Sequence, residues 1–290
     1  MRILSLLLTS TFLLFSALNS SAQVLVKSNE SIAFLGDSIT QFGAMSPGGY
    51  VRLVESGLAA QGINVTVIPA GLSANKSPDM LARLEKDVLS KKPTWMTLSC
   101  GVNDVMHGAK GVELDAYKTH ITAILDKCQE AGVKVVILTA TQIGLPVTNP
   151  ENTKLADYNA FLRDTAKARK LPLADLNAAM AAEQQALERA RIKRTLTGDG
   201  VHMNAYGNVM MAKGVLAAFG LSKPQITAAE AKWNTIPDIF EATVKIKLSL
   251  PELAALEAYA AGQNKSVDKN LPELAVTAIN TAAKAPPARR

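Results

Sequence analysis

The chain has 290 residues, 48% of them hydrophobic and 19% charged, with 18 glycines and 13 prolines. That balance belongs to a folded chain with a substantial core, one medium-sized domain or a domain with an appendage, and it excludes a disordered polymer and a disulfide-stapled mini-protein. The net charge of +6 comes from 31 basic and 25 acidic residues, scattered rather than gathered into one long run, which argues against a nucleic-acid partner.

The first segment has the pattern of a secretory signal peptide. Arg2 precedes an apolar run from Ile3 to Leu18, and Ser20 and Ala22 are small residues placed for a cut after Ala22. The run is short for a bilayer-spanning helix of ~20 residues, and no later segment is long and apolar enough to span. Residues 1–22 are therefore expected to be removed, leaving a mature protein that is secreted or periplasmic, with no stable membrane span. Cys100 and Cys128 could pair in an oxidising compartment, but two cysteines in so large a domain are more often independent buried thiols, and their spacing suits no metal site.

From Ser31 onward, short apolar runs alternate with amphipathic stretches. Ser31 to Gly36 is apolar and ends on a turn residue, as a buried parallel strand does. Tyr50 to Leu58 has apolar residues at helical spacing. A second strand is expected over Asn64–Pro69, a helix over Asp79–Leu89, and a third strand over Trp95–Cys100. A long helix over Glu113–Ala131 is followed by Gly132 as its cap. Strand four is Lys134–Ala140, strand five Leu171–Asp175, and helices are expected over Leu155–Lys170 and Asn177–Arg189. Parallel strands need crossover connections, and the crossover helices must cover the sheet. The expected fold is a three-layer α/β/α sandwich around a five-stranded parallel sheet.

Ligands in such sheets bind beyond the carboxyl ends of the strands, so the loops there are the ones to inspect. They read Gly36-Asp37-Ser38-Ile39-Thr40, Ala70-Gly71-Leu72-Ser73 and Gly101-Val102-Asn103-Asp104, with Asp199-Gly200-Val201-His202 before a helix that begins near Ala205. Each loop alone is ordinary capping and turn chemistry. Together they supply what acyl transfer to water requires. Ser38 is the candidate nucleophile and His202 the base that takes its proton. Asp199, across the Gly200 turn, can fix the imidazole tautomer. The backbone N–H groups of Ser38 and Gly71 and the side-chain amide of Asn103 are candidate oxyanion donors.

These four blocks, in this order, resemble the SGNH (GDSL-type) hydrolase family. The resemblance spans about Ser31 to Gly220, with Ile39 standing where the name-giving motif has Leu. It implies a flavodoxin-like fold, a Ser38, Asp199 and His202 triad, and an oxyanion hole of Ser38, Gly71 and Asn103. His107 is expected as a loop residue that could line the site and His120 as structural, while Asp37 and Asp104 should hold loop N–H groups. A metal on Asp37, Asp199 and His202 ranks below the triad, because no compact ligand motif supports it. Without a G-x-G-x-x-G or Walker-type loop, no cofactor is indicated.

From Lys223 the α/β rhythm stops. Thr243–Leu250 alternates like a strand, and helices are expected over Pro251–Ala261 and Leu271–Lys284, a small strand-helix-helix extension ending in a frayed Ala285–Arg290. The pattern is faintly similar to ribbon-helix-helix DNA-binding modules; the secretory signal favours a packing appendage instead. The resulting division is 1–22 signal peptide, 23–222 hydrolase domain and 223–290 extension. The expected activity is hydrolysis of a carboxylic ester, foremost removal of O-acetyl groups from a carbohydrate. The moderately polar Thr141–Thr153 stretch favours a small or sugar-like ligand over the longer acyl esters of lysophospholipases, arylesterases and thioesterases. A non-catalytic binding protein on the same fold is the reading from a different class.

Overall fold

A computed structural model describes residues 24–236 and 246–284. The signal-peptide reading of residues 1–22 and the frayed end at 285–290 lie outside the described residues.

Five parallel strands form the sheet: β1 (Ser31–Gly36), β2 (Thr66–Gly71), β3 (Trp95–Ser99), β4 (Lys134–Leu138) and β5 (Leu173–Ala174), in the order β2-β1-β3-β4-β5. This is the flavodoxin-like order of a three-layer sandwich. The central strands are mostly apolar because helices cover both faces, and Ile32, Ala33, Phe34 and Leu35 of β1 are fully buried. Pro69 lies in β2, opposite Phe34, where an edge strand tolerates the missing donor. The expected strand two begins and ends two residues early, and strand five is trimmed from Leu171–Asp175 to two residues.

The helices up to the end of the sheet are α1 (Ser38–Met45), α2 (Tyr50–Ala59), α3 (Ser77–Asp87), α4 (Val102–Met106), α5 (Leu114–Glu130), α6 (Pro150–Arg169) and α7 (Leu176–Arg189). α1 and α4 are not visible as periodic patterns, having eight and five residues. α6 starts five residues before the expected Leu155, where the Asn149 side chain accepts from the Asn152 N–H and Pro150 takes the first turn.

Beyond the sheet come α8 (Ala205–Ala218) and α9 (Lys223–Trp233). Gly57 of α2 lets the three helices meet: a Cβ there would touch Leu216 Cδ1 of α8 at 2.6 Å and Trp233 Cζ2 of α9 at 3.3 Å. Ala229 and Trp233 are accordingly buried. The chain divides into two compact units between Phe240 and Glu241, so α9 belongs with the sheet and the boundary falls later than the expected Lys223.

The second unit holds α10 (Leu250–Gly262) and α11 (Val267–Lys284), close to the two expected helices. The expected strand over Thr243–Leu250 lies partly outside the described residues, and no strand forms over 246–249. Ser249 caps α10 instead, its N–H and hydroxyl both bonding Glu252 Oε2. Cys100 and Cys128 are buried free thiols. No helix among the described residues is long and apolar enough to cross a membrane.

Candidate active site

The chain leaves β1 toward β2 on one side and returns to β3 on the other, so the carboxyl ends of β1 and β3 flank a crevice. Ser38 enters it directly after β1 as the first residue of α1. The cap is Asp37, whose Oδ1 accepts the Ile39 N–H at 2.9 Å. The same geometry leaves the Ser38 N–H at a helix start, where no intrahelical acceptor exists.

His202 reaches Ser38 from a short hairpin 164 positions later. Thr197 and Met203 form an antiparallel bridge, the Gly198 N–H donates to His202 O at 2.9 Å, and Asn204 ties the hairpin to α8 by accepting from the N–H groups of Tyr206 and Gly207. Gly200 turns the chain at φ +97°, a conformation that favours glycine, and its carbonyl accepts from the Gly144 N–H at 2.7 Å. His202 Nε2 lies 2.8 Å from Ser38 Oγ, and His202 Nδ1 lies 2.6 Å from Asp199 Oδ2. A carboxylate accepts from Nδ1–H, leaving Nε2 as the acceptor for the serine hydroxyl. Desolvation acts to raise the Asp199 pKa, but hydrogen bonds from the His202 ring and from the N–H groups of His202 and Val201 outweigh it and bring it down to about 2. Asp199 is therefore a carboxylate at any pH at which the imidazole works. Phe42, one turn after Ser38 on α1 and 48% exposed, lies over His202 with ring centres 5.1 Å apart.

Asn103 sits in the first turn of α4, after β3. Its Nδ2 donates to Asp37 Oδ2 at 3.3 Å and to Asn75 O at 3.2 Å, both long bonds that a stronger acceptor can displace. Its Oδ1 accepts from His107 Nε2 at 3.2 Å, which fixes which way the amide faces. His107 is thus a support for Asn103; the only signal in the sequence was the four-residue spacing. Burial pushes the Asp37 carboxyl up to about 6, against the pull of the Ile39 N–H, with Asp104 adding to the rise and His202 opposing it. Asp104 accepts from the Ser77 N–H and hydroxyl at 2.9 and 2.6 Å, and Ser77 Oγ also meets His120 Nδ1 at 3.1 Å, so His120 braces the start of α3. Asp37 and Asp104 both hold backbone N–H groups, but these lie at the first turns of α1 and α3 and not in loops. Among the described residues no three metal-ligating side chains converge.

Gly71 departs from its expected role. It ends β2 in register with Gly36, and the next N–H, that of Leu72, donates to Gly36 O at 3.0 Å. Alternation along a parallel strand turns the Gly71 N–H to the other side, the open edge of the sheet and away from Ser38. What Gly71 provides is a close approach: a Cβ there would collide with the backbone N of Gln41 in α1. The loop that follows holds a better donor. Of the N–H groups from Leu72 to Ser77, only that of Ala74 has no hydrogen-bond partner among the described residues, and Ala74 sits at φ +62°, next to the Asn75 carbonyl that accepts from Asn103.

Residues 34–209, more than half of the sequence, match the GDSL-like lipase/acylhydrolase family. The chain belongs to that family. This GDSL-like hydrolase is 26% identical over 214 residues to an acetylxylan esterase of Geobacillus stearothermophilus, covering 67% of this chain and 96% of that protein. The crystal structure of the acetyl xylan esterase AlAXEase is similar at 32% identity, with a TM-score of 0.60, over 65% of this chain and 98% of the other. The esterase TesA of Pseudomonas aeruginosa is 28% identical over 110 residues, 38% of this chain and 53% of TesA. The GDSL-like chain is a carboxylic ester hydrolase, which sets aside the reading as a non-catalytic binding protein. A concavity of about 590 Å³, lined among others by Trp95, Lys134 and Arg169, lies at the amino ends of β3 and β4, the end of the sheet opposite Ser38.

Proposed function

We propose that the protein removes O-acetyl groups from a carbohydrate by a serine-esterase mechanism, acting outside the cytoplasm after loss of residues 1–22. The hydrogen-bonded line from Asp199 Oδ2 through both His202 nitrogens to Ser38 Oγ, at 2.6 and 2.8 Å, carries the chemistry. The carbohydrate half of the reading rests on the similarity to acetylxylan esterases.

Ser38 Oγ attacks the acetyl carbonyl carbon while its proton passes to His202 Nε2, and Asp199 stabilises the imidazolium through Nδ1–H. Negative charge develops on the carbonyl oxygen, where the Ser38 N–H, the Asn103 amide and the Ala74 N–H supply donors. The imidazolium then gives its proton to the departing sugar oxygen, leaving an acetyl ester on Ser38. A water, deprotonated by His202, attacks that ester; acetate leaves and Ser38 regains its proton.

Purified protein assayed on acetylated xylo-oligosaccharides, p-nitrophenyl acetate and p-nitrophenyl octanoate tests both halves. Acetate release from the sugars, a preference for acetate over octanoate and loss of about 10⁴-fold or more in kcat on Ser38→Ala are expected. A clear octanoate preference overturns the carbohydrate reading, and an undiminished Ser38→Ala protein overturns the mechanism.

A further inference from the structure

The segment that leads from α7 into the His202 hairpin carries Arg189, Arg191, Lys193 and Arg194, all exposed. Glu188 is the one carboxylate among positions 188–194, and among the described residues none of the four cations is within ion-pair distance of any carboxylate. Like charges so close repel one another, and cleavage of a neutral ester needs none of them. The strip is fixed relative to the site. The Arg194 guanidinium lies 3.9 Å from the ring centre of Tyr206, four residues after His202, and Thr195 O accepts from Asn204 Nδ2 at 2.8 Å. A cavity of about 90 Å³ connects the two: Ile192, Arg194 and Thr195 line one side, and Gly200 of the Asp199–His202 turn lines it with Leu145. Gln184, also on its wall, has a buried side-chain oxygen with no partner among the described residues.

We propose that this strip binds the carboxylates of uronic acid residues, so that the preferred substrate is an acetylated acidic polysaccharide with its charged sugars near the ester. The inference rests on the deacetylase reading and names the substrate class for the same site. A neutral sugar chain offers no charge to four cations that lack a carboxylate partner, whereas a uronate supplies the anion and leaves the acetyl group free to reach Ser38. Charge at the rim of a site acts on encounter and KM more than on the bond-breaking step.

The test compares acetylated xylo-oligosaccharides with and without glucuronic acid branches, at low salt and at about 0.5 M NaCl, where exposed charges are screened. Wild type is expected to show kcat/KM about fivefold higher on the branched substrate, through KM, with the advantage fading at high salt. The variant combining Arg191→Gln, Lys193→Gln and Arg194→Gln loses the advantage but keeps wild-type turnover of p-nitrophenyl acetate, which also reports that it is folded. Arg191→Lys with Arg194→Lys keeps the advantage. Equal kcat/KM of wild type on both substrates, or an advantage that survives the triple variant, overturns the proposal. So does a triple variant whose only loss is retention on duplex DNA. Absence of activity on p-nitrophenyl acetate in wild type instead overturns the esterase reading beneath it.

Discussion

Asn103 and His107 separate two contributions that neighbour each other at the site. If the Asn103 amide donates to the developing oxyanion, Asn103→Ala should lower kcat by about 10²–10³ with little change in KM. The side-chain hydrogen bond of His107 among the described residues goes to the Asn103 oxygen, so His107→Ala should cost far less, seen as a modest kcat loss, and equal losses would contradict these roles. Asp37 has a cost that can be read in stability. Its folded-state pKa of about 6 exceeds the ordinary 3.8, so between those values the folded protein binds more protons than the unfolded chain. Stability then falls as pH rises through that window, by about 3 kcal/mol in all, and stays lower above it. Asp37→Asn keeps a cap for the Ile39 N–H and should remove this slope, gaining on wild type by most of that amount between pH 4 and pH 8 in urea unfolding; parallel curves would refute it. That Ser38, His202 and Asn103 lie at one site was legible in the sequence, because each closely follows an apolar strand run or a Gly turn. Ala74 and His107 were not, since a free N–H or an amide brace becomes visible only when every neighbouring bond is accounted for.

The contact between β2 and α1 explains why Gly71 looked like a donor and is a spacer. A sequence places Gly71 after a strand but does not say that the strand is the sheet edge, nor which way its N–H groups alternate; both follow from the Gly36 register. Gly71→Ala retains the backbone N–H but pushes Cβ into the Gln41 backbone, one turn from Ser38. It should destabilise by about 1–3 kcal/mol in urea unfolding and lower kcat by displacing Ser38. A variant as stable and active as wild type would show that the approach is looser than it looks. Element boundaries were misread where local propensity was weakest. α1 and α4 are too short for periodicity, and the expected strand at Thr243 gave way over 246–249 to the cap of α10, whose Ser249–Glu252 bonds need no partner strand.

Across the unit that ends at Phe240, the flavodoxin-like sheet order sets Ser38 and Asn103 on either side of one crevice, and α8 brings the His202 hairpin to it. α9 stabilises this arrangement from behind. Trp233 packs on Gly57 and is 2% exposed, so Trp233→Ala should cost about 3–5 kcal/mol in unfolding while leaving kcat unchanged where the protein remains folded. A kcat loss at full folding would mean that α9 acts on the site itself. The alternation of strands and helices made the fold class readable before any coordinates, whereas the assignment of α9 depended on a glycine-mediated packing that no local pattern announces. The most direct test of the whole account is the position of the adduct formed with an organophosphonate ester, read by peptide mass spectrometry. A single adduct on the peptide carrying Ser38, absent when His202→Ala is treated in the same way, is the predicted result; an inhibited enzyme labelled at any other residue would contradict it.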